Sequence, residues 1–538
     1  MQPNIIFIMA DQLAARYLGT YGSGVDSTPN LDRLAARGIR FDRCYATCPV
    51  CAPNRASLLT GRSPVVHGLT TNNYTAPPET PTHPQLLRDK GYRTGGFGKF
   101  HQHPMPLPVI REAAFLGFDE SVVHEDRKWG PWLDWVEKNH PEHFDAALAL
   151  CWSENGDPAR QEQLGRKRQA WKEIIAPRIE DSGWKKMWTS PLPPEVHDTT
   201  FLIDTGIDFM QRHLKSQTAQ PFFCNISLVD PHDPYDPPAP YADMYDPNDI
   251  PEALPAEWKE SGPDCLGPRQ ETLGFDSIAD DRDKVQKLRA MYHGSLRYMD
   301  DQIGRVIEFV EENGLWENTI ILFSTDHGDM MGDQGLMAKG MPHYDSGIRV
   351  PLIAACGGIQ PGVSDRLTCT LDFFPTFCDL AEISAEKRPP LEGKSFIAHL
   401  YPDREPAPDP YGHHPATPEW DRMLYNEPEW REISVAFGAE SVITDDGWRL
   451  TRFVQGGGQM FDLNTDPDEQ NNLYNNPDYA DKRQELLERL INITTRPHRM
   501  PQYRNMPVID GVPHRLGGRG NSQLIPISAD LSVETKRF

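Results

Sequence analysis

Several short segments carry side chains that could act together on an anionic group. Cys51-Ala52-Pro53-Asn54-Arg55 sets a cysteine and an arginine four residues apart, the spacing of one helical turn. Asp11-Gln12 closes an apolar run near the N-terminus, and Asp326-His327 closes another. Lys99 and His101 follow a Gly-rich stretch. Asp230-Pro231-His232 ends a further apolar run, and Lys339 follows Asp326-His327-Gly328-Asp329. Asp11 and Asp326 offer carboxylates, Gln12 an amide oxygen and His327 an imidazole nitrogen. Such a donor set suits one divalent cation, Ca²⁺ first, with Mn²⁺, Mg²⁺ and Zn²⁺ as alternatives because one ligand is nitrogen. A lone Asp-His or Asp-Gln pair is ordinarily a turn or a cap. Two such pairs at strand ends argue for a metal site. Lys99 and His101, two apart at the end of an expected strand, can both face one cleft.

The elements that must position these groups alternate. Strands are expected at 4–9, 222–228, 319–324 and 350–355, with another following 91–96. Helices are expected at 28–37, 84–90, 200–215, 284–313 and 372–381, the first with Thr28 as cap and Pro29 at its first position. This order predicts an α/β fold, a large and mostly parallel sheet sandwiched by helices. Ligands in such sheets bind beyond the carboxyl ends of the strands, where Asp11, Asp230 and Asp326 fall. Residues 1–400 read as the catalytic unit, with an insertion at 118–193 that carries Trp129, Trp132, Trp135, Trp152, Trp171, Trp184 and Trp188. It reads either as a packed helical cap or as a lid whose aromatic faces suit a sugar or aryl group. A Pro-rich linker is expected at 401–418. Beyond it, strands at 434–437, 441–444, 448–453 and 459–463 and a helix at 479–493 predict a small antiparallel sheet plus helix within 419–496. The tail, 497–538, is Pro/Gly/Arg-rich and reads as a segment that wraps the body, bridges two copies of the chain as a homo-oligomer, or is loosely ordered.

Bulk composition excludes some partners. The formal net charge of −24 disfavours a phosphate backbone, so nucleic acid is not expected. No apolar run approaches a membrane span, and no leader is evident, so a cytoplasmic protein without a membrane partner is expected. Nine thinly spread cysteines do not form a disulfide framework.

Taken together, Cys51-x-Pro53-x-Arg55, Asp11-Gln12, Gly98-Lys99-Phe100-His101, Asp230-Pro231-His232 and Asp326-His327 resemble the type I sulfatases of the alkaline phosphatase superfamily. The resemblance implies a sulfuric ester hydrolase. Cys51 would be oxidised to formylglycine by a formylglycine-generating enzyme, and its hydrate would attack a small anionic ester through a covalent sulfo-enzyme intermediate. It further implies that Asp11, Gln12, residue 51, Asp326 and His327 bind the metal. Arg55 orients the hydrate, Lys99 binds sulfate and His101 assists collapse of the intermediate. His232 and Lys339 meet the leaving-group oxygen, and Asn72 and His343 contact substrate. The family usually has Ser at the position of Asn54 and Asp at that of Gln12. Asp11-Gln12 with Asp326-His327 also resembles phosphonate monoester hydrolases and phosphodiesterases that use the same formylglycine. A remoter alternative is the Cys44, Cys48 and Cys51 spacing, which resembles the iron–sulfur motif of radical S-adenosylmethionine enzymes.

Overall fold

The computed structural model describes residues 2–72, 74–76, 80–104, 109–152, 157–216, 218–256, 278, 280–340, 343–408, 422–426, 439–453, 456–494, 508–509, 512–516 and 524–526. Its centre is an eight-stranded sheet. The strands are β1 (Asn4–Ala10), β2 (Gly38–Phe41), β3 (Arg93–Gly98), β4 (Glu120–Val123), β5 (Phe222–Ser227), β6 (Thr319–Thr325), β7 (Ile353–Ala355) and β8 (Gly362–Ser364). They lie in the order β4-β3-β5-β1-β6-β7-β2-β8. β1 is parallel to β5 and β6, and β3 to β4 and β5. β7 alone runs against its neighbours.

β1 shows why the central strands read as unbroken apolar runs. Ile6, Ile8 and Ala10 enter one core while Ile5, Phe7 and Met9 enter the other, so both faces are buried. On the first face pack α1 (Pro29–Ala36), α4 (Asp198–Lys215) and α5 (Arg282–Glu312). On the second pack α2 (Cys51–Thr60), α3 (His83–Lys90) and α6 (Phe373–Leu380). Thr28 does not cap α1 with its side chain. The carboxylate of Asp300 on α5 accepts the N–H groups of Asn30 and Leu31 at 2.8 and 2.9 Å instead. Two orphan donors are satisfied by one distant acceptor, which a local reading of the chain cannot supply.

Register sets the level of the site. Met9 is paired with both Ser227 and Ser324, and Ser227 is paired with Gly98. Residues 11, 99 and 326 therefore leave the sheet within a residue or two of one row. β3 and β5 come very close there. Gly98 has φ 115°, and a Cβ on it would lie 1.7 Å from the Ser227 carbonyl oxygen.

The Trp-rich insertion is mainly a packed helical cap. Trp129, Trp132, Trp184 and Trp188 are buried in the first core, and Trp132 Nε1 donates to the Val196 carbonyl at 3.1 Å. Trp152 and Trp171 are exposed. In the C-terminal part, β9 (Arg422–Asn426), β10 (Ala439–Ile443), β11 (Trp448–Phe453) and β12 (Gly458–Asp462) form an antiparallel sheet in sequential order. α7 (Ala480–Thr494) covers it through Leu486 and Leu490. The strand expected at 434–437 and most of the 401–418 linker and the 497–538 tail lie outside the described residues. Short strands within the tail, Val508–Ile509, Val512–Leu516 and Leu524–Pro526, form an antiparallel set. Among the described residues, no helix is long and apolar enough to cross a membrane.

Gly98→Ala is expected to cost about 2 kcal/mol or more, since it adds left-handed strain to a backbone clash. It should also lower turnover, because Lys99 follows directly. An unchanged thermal unfolding midpoint would contradict the tight β3–β5 approach.

Candidate active site

Asp11, Arg55, Lys99, Asp126 and Asp326 are all buried, so their geometry is set by mutual neutralisation. Arg55, one turn into α2, is the hub. Its Nη2 meets Asp11 Oδ2 at 3.0 Å and its Nε meets Asp326 Oδ2 at 2.7 Å. Its Nη1 donates to the Lys99 carbonyl at 2.6 Å and to Ser227 Oγ at 2.8 Å. One side chain thus ties the ends of β1, β3, β5 and β6 together. Lys99 Nζ lies 2.5 Å from both Asp11 Oδ2 and Asp126 Oδ1. Burial opposes ionisation of Asp11, but Lys99 and Arg55 outweigh it and hold its carboxyl well below the usual range. Burial likewise disfavours the Lys99 ammonium, and Asp11 and Asp126 more than restore it.

Cys51 opens α2, so its sulfur lies at the positive end of a helix. Asn72 Oδ1 accepts the Ala52 N–H at 3.0 Å and satisfies one donor of that first turn. Cys51 Sγ is 3.1 Å from His327 Nε2 and accepts from Lys339 Nζ at 2.9 Å. Burial alone would push the thiol up, but Lys339, Lys99, His327 and His101 outweigh it and hold it well below its ordinary value. Asn54 is structural here. Its Nδ2 donates to the Asp326 carbonyl, while its Oδ1 accepts from Thr47 N and Thr370 Oγ1 at 3.0 and 2.6 Å.

Asp11, Cys51, Asp326 and His327 place their ligand atoms within 4.8 Å of one another. Gln12 joins them in the left-handed region, φ 62°. Its Nε2 donates to Asp329 Oδ2 at 2.6 Å, which fixes the amide so that Oε1 is the free end. Asp11 Oδ1 and Gln12 Oε1 are buried without a hydrogen-bond partner. Two orphaned oxygens beside a second carboxylate and an imidazole fit a hard or borderline divalent cation.

On the outer side, His232 Nε2 is 2.6 Å from Lys339 Nζ, and His232 Nδ1 is 2.6 Å from the Asp233 carbonyl. Asp233 is paired with Lys186 of the insertion at 2.8 Å. The structure therefore brings together Asp11, Gln12, Cys51, Arg55, Lys99, His101, His232, Asp326, His327 and Lys339. It places His343 differently. His343 Nδ1 is 2.6 Å from Ser441 Oγ on β10, and its carbonyl accepts from Arg449 on β11. Those contacts dock the loop onto the C-terminal sheet. Met341 and Pro342 of the same motif lie outside the described residues. Asp126 and Asp329 went unpredicted. Asp126 lies three residues past β4, a short and half-exposed strand with no apolar run to mark its end.

The family model described as Sulfatase matches residues 3–383, and that of the N-sulphoglucosamine sulphohydrolase C-terminal region matches residues 332–496. The chain belongs to the sulfatase family. The arylsulfatase of Clostridium perfringens is 30% identical over 503 residues, covering 91% of this chain and 94% of that protein. The choline-sulfatase of Rhizobium meliloti is 27% identical, covering 88% and 83%. A solved phosphonate monoester hydrolase from Silicibacter pomeroyi shares the fold, with a TM-score of 0.71 at 24% identity over 94% of this chain and 96% of that one. Membership makes the chain a sulfate ester hydrolase of the alkaline phosphatase superfamily, and displaces the iron–sulfur reading of Cys44, Cys48 and Cys51.

Arg55→Met is expected to strip Asp326 of its buried cation and leave Asp11 with Lys99 alone, at a cost of about 3–5 kcal/mol. Added Ca²⁺ or Mn²⁺ should recover part of that loss, so the variant's unfolding midpoint should depend on metal far more than the wild type's. Equal metal responses, read by calorimetry with and without chelator, would count against a cation between the two carboxylates.

Proposed function

We propose that the chain hydrolyses small organic sulfate monoesters with aryl or sugar leaving groups, using formylglycine made from Cys51 and one divalent cation. The observation that carries this is the position of Cys51, at the head of α2 and within one buried cluster with Asp11, Asp326 and His327. When present, the hydrated aldehyde at position 51 supplies a hydroxyl nucleophile, and the cation offsets the charge of the ester. Asp11, Gln12, Asp326 and His327 hold that cation, and Ca²⁺ fits the oxygen-rich set best. Mn²⁺, Mg²⁺ and Zn²⁺ are the alternatives that the imidazole leaves open.

The chain's own side chains do the rest. Arg55 fixes the two carboxylates and, one turn from residue 51, its orientation. Lys99 and Lys339 present positive charge to the anionic group from two sides. His101 contributes to holding the Cys51 thiol low, and in this reading it takes the proton of residue 51. A nitrogen–nitrogen distance of 2.6 Å between Lys339 and His232 admits one shared proton, donated by one and accepted by the other. That pair can deliver the proton to the departing oxygen. Trp152 supports a ring-shaped leaving group, since it is exposed while its indole N–H is fixed on the Asp126 carbonyl beside Lys99. A formylglycine-generating enzyme is the partner that maturation requires.

Gln12 and His327 favour a second reading, in which the same nucleophile acts on phosphonate monoesters or phosphodiesters. Fewer anionic ligands leave more positive charge for the substrate, and both substrate classes are anionic tetrahedral esters.

Mass spectrometry of the tryptic peptide 44–55 should show an aldehyde at position 51 when the chain is made with a formylglycine-generating enzyme. An unmodified thiol under those conditions would sink the nucleophile assignment. Cys51→Ala should abolish turnover, and a panel of aryl sulfate, sugar sulfate, phosphonate and phosphodiester substrates then separates the two readings by kcat/KM. His232→Ala should slow esters with poor leaving groups more than activated ones, and equal losses on both would remove His232 as proton donor.

A further inference from the structure

Lys99 and His101 leave β3 as irregular chain, and His101 has a positive φ of 50°. What holds them is the segment that follows β4, residues 124–128. The N–H of His124 donates to the Gly98 carbonyl at 2.9 Å. Glu125 Oε1 accepts the backbone N–H groups of Phe100 and His101 at 3.2 and 2.9 Å. Asp126 Oδ1 lies 2.5 Å from Lys99 Nζ. Three consecutive residues thus grip residues 98–101 by backbone and by charge.

The gripping segment is itself an irregular turn, with Lys128 at φ 59°. Both of its ends are tied to one carboxylate. Asp198, the first residue of α4, has Oδ2 2.8 Å from His124 Nε2 and Oδ1 3.2 Å from Lys128 Nζ. All three side chains are buried. His197 Nδ1 is 3.1 Å from the same Asp198 Oδ1 and 3.8 Å from Asp230 Oδ2. The Asp230 carbonyl in turn accepts the N–H of Asp11 at 3.2 Å. A buried ammonium and a buried carboxylate are costly unless paired, so this clamp has one low-energy geometry. Asp198 is rooted in an 18-residue helix packed on the sheet, which makes it a rigid anchor for two irregular segments.

We propose that Asp198 is a positioning residue. By pinning His124 and Lys128 it holds residues 124–128 as a bracket that fixes Lys99 and His101 against position 51. This rests on the reading that Lys99 and His101 act on the ester.

The test is a double-mutant cycle on a sulfate ester, with kcat normalised to the formylglycine content of each preparation. Lys99→Ala should nearly abolish turnover. If it does not, the role of Lys99 fails whatever Asp198 does. Asp198→Asn should lower kcat about 10- to 100-fold, the range for partners that orient an active group from behind. In the Asp126→Asn background the same change should cost much less, because Asp126 is the side chain through which the bracket reaches the Lys99 ammonium, and without it the bracket no longer holds that ammonium. A purely structural role would lower the unfolding midpoint and leave kcat per converted site unchanged. That result, or losses that simply multiply, would overturn the proposal. If Asp198→Asn is not recovered folded, His124→Gln and Lys128→Met each cut one arm of the clamp and enter the same cycle with the same two outcomes.

Discussion

Two buried carboxylates, Asp11 and Asp326, stand at the ends of neighbouring parallel strands, and one guanidinium holds them together. In a medium of low dielectric that arrangement is tolerable only if every charge finds a partner. Much else follows from it. Arg55 must reach both oxygens, so α2 must end its approach with its first turn at the sheet edge, which puts residue 51 beside the carboxylates. The Nη1 group left over takes the Lys99 carbonyl and Ser227, so β3 and β5 are drawn into the same constraint. Lys99 then adds a second cation to Asp11 and needs a further anion, which Asp126 supplies. The inner oxygens are spent on cations of the chain, while Asp11 Oδ1 lies 3.8 Å from His327 Nε2 and, like Gln12 Oε1, is buried without a hydrogen-bond partner.

The central fold and the inner site were legible because both are written locally. A strand buried on both faces must be apolar at every position, as β1, β5 and β6 are, and a charged residue directly after such a run can only lie at the sheet edge. The groups that escaped are those whose reason for existing lies far away in the chain. Asp300 caps α1 across 270 positions, where Thr28 looked sufficient by itself. Glu125, Asp126 and Asp198 surround β4, a four-residue strand that is only half-buried and gives no apolar signal. His343 failed to join the Cys51 cluster for a related reason. Its neighbours are set by Ser441 and Arg449, about a hundred residues on, and residue type alone does not say whether a buried histidine faces substrate or a second sheet.

The tryptophans of the insertion show the same limit from the side of composition. Indole rings serve equally as core and as platform. Trp132 and Trp188 are core, whereas Trp152 keeps its face in solvent with its N–H held by the chain that positions Lys99. The insertion also sends Lys186 to Asp233, next to His232. It therefore touches the site at its rim and leaves the inner charges to the sheet.

The C-terminal sheet supports the outer half of the site in a comparable way. Lys339 lies in the loop between Asp329, which fixes the Gln12 amide, and Asp345. That loop has little regular structure of its own. Met330, Leu336 and Tyr344 pack against Phe461 of β12, and Gln334 Nε2 donates to the Asp468 carbonyl at 3.0 Å. Arg449 is paired with Glu469, whose other oxygen accepts the Asp345 N–H at 2.8 Å, and it also donates to the His343 carbonyl. A buried ion pair of this kind contributes little net stability against an apolar substitute, but it admits few alternative geometries. Its effect here is to set where the loop can lie, and so to hold Lys339 within reach of both residue 51 and His232. Inner cations fixed by the large sheet and an outer cation fixed by the small one meet across position 51. Neither unit alone would place positive charge on both sides of a bound ester.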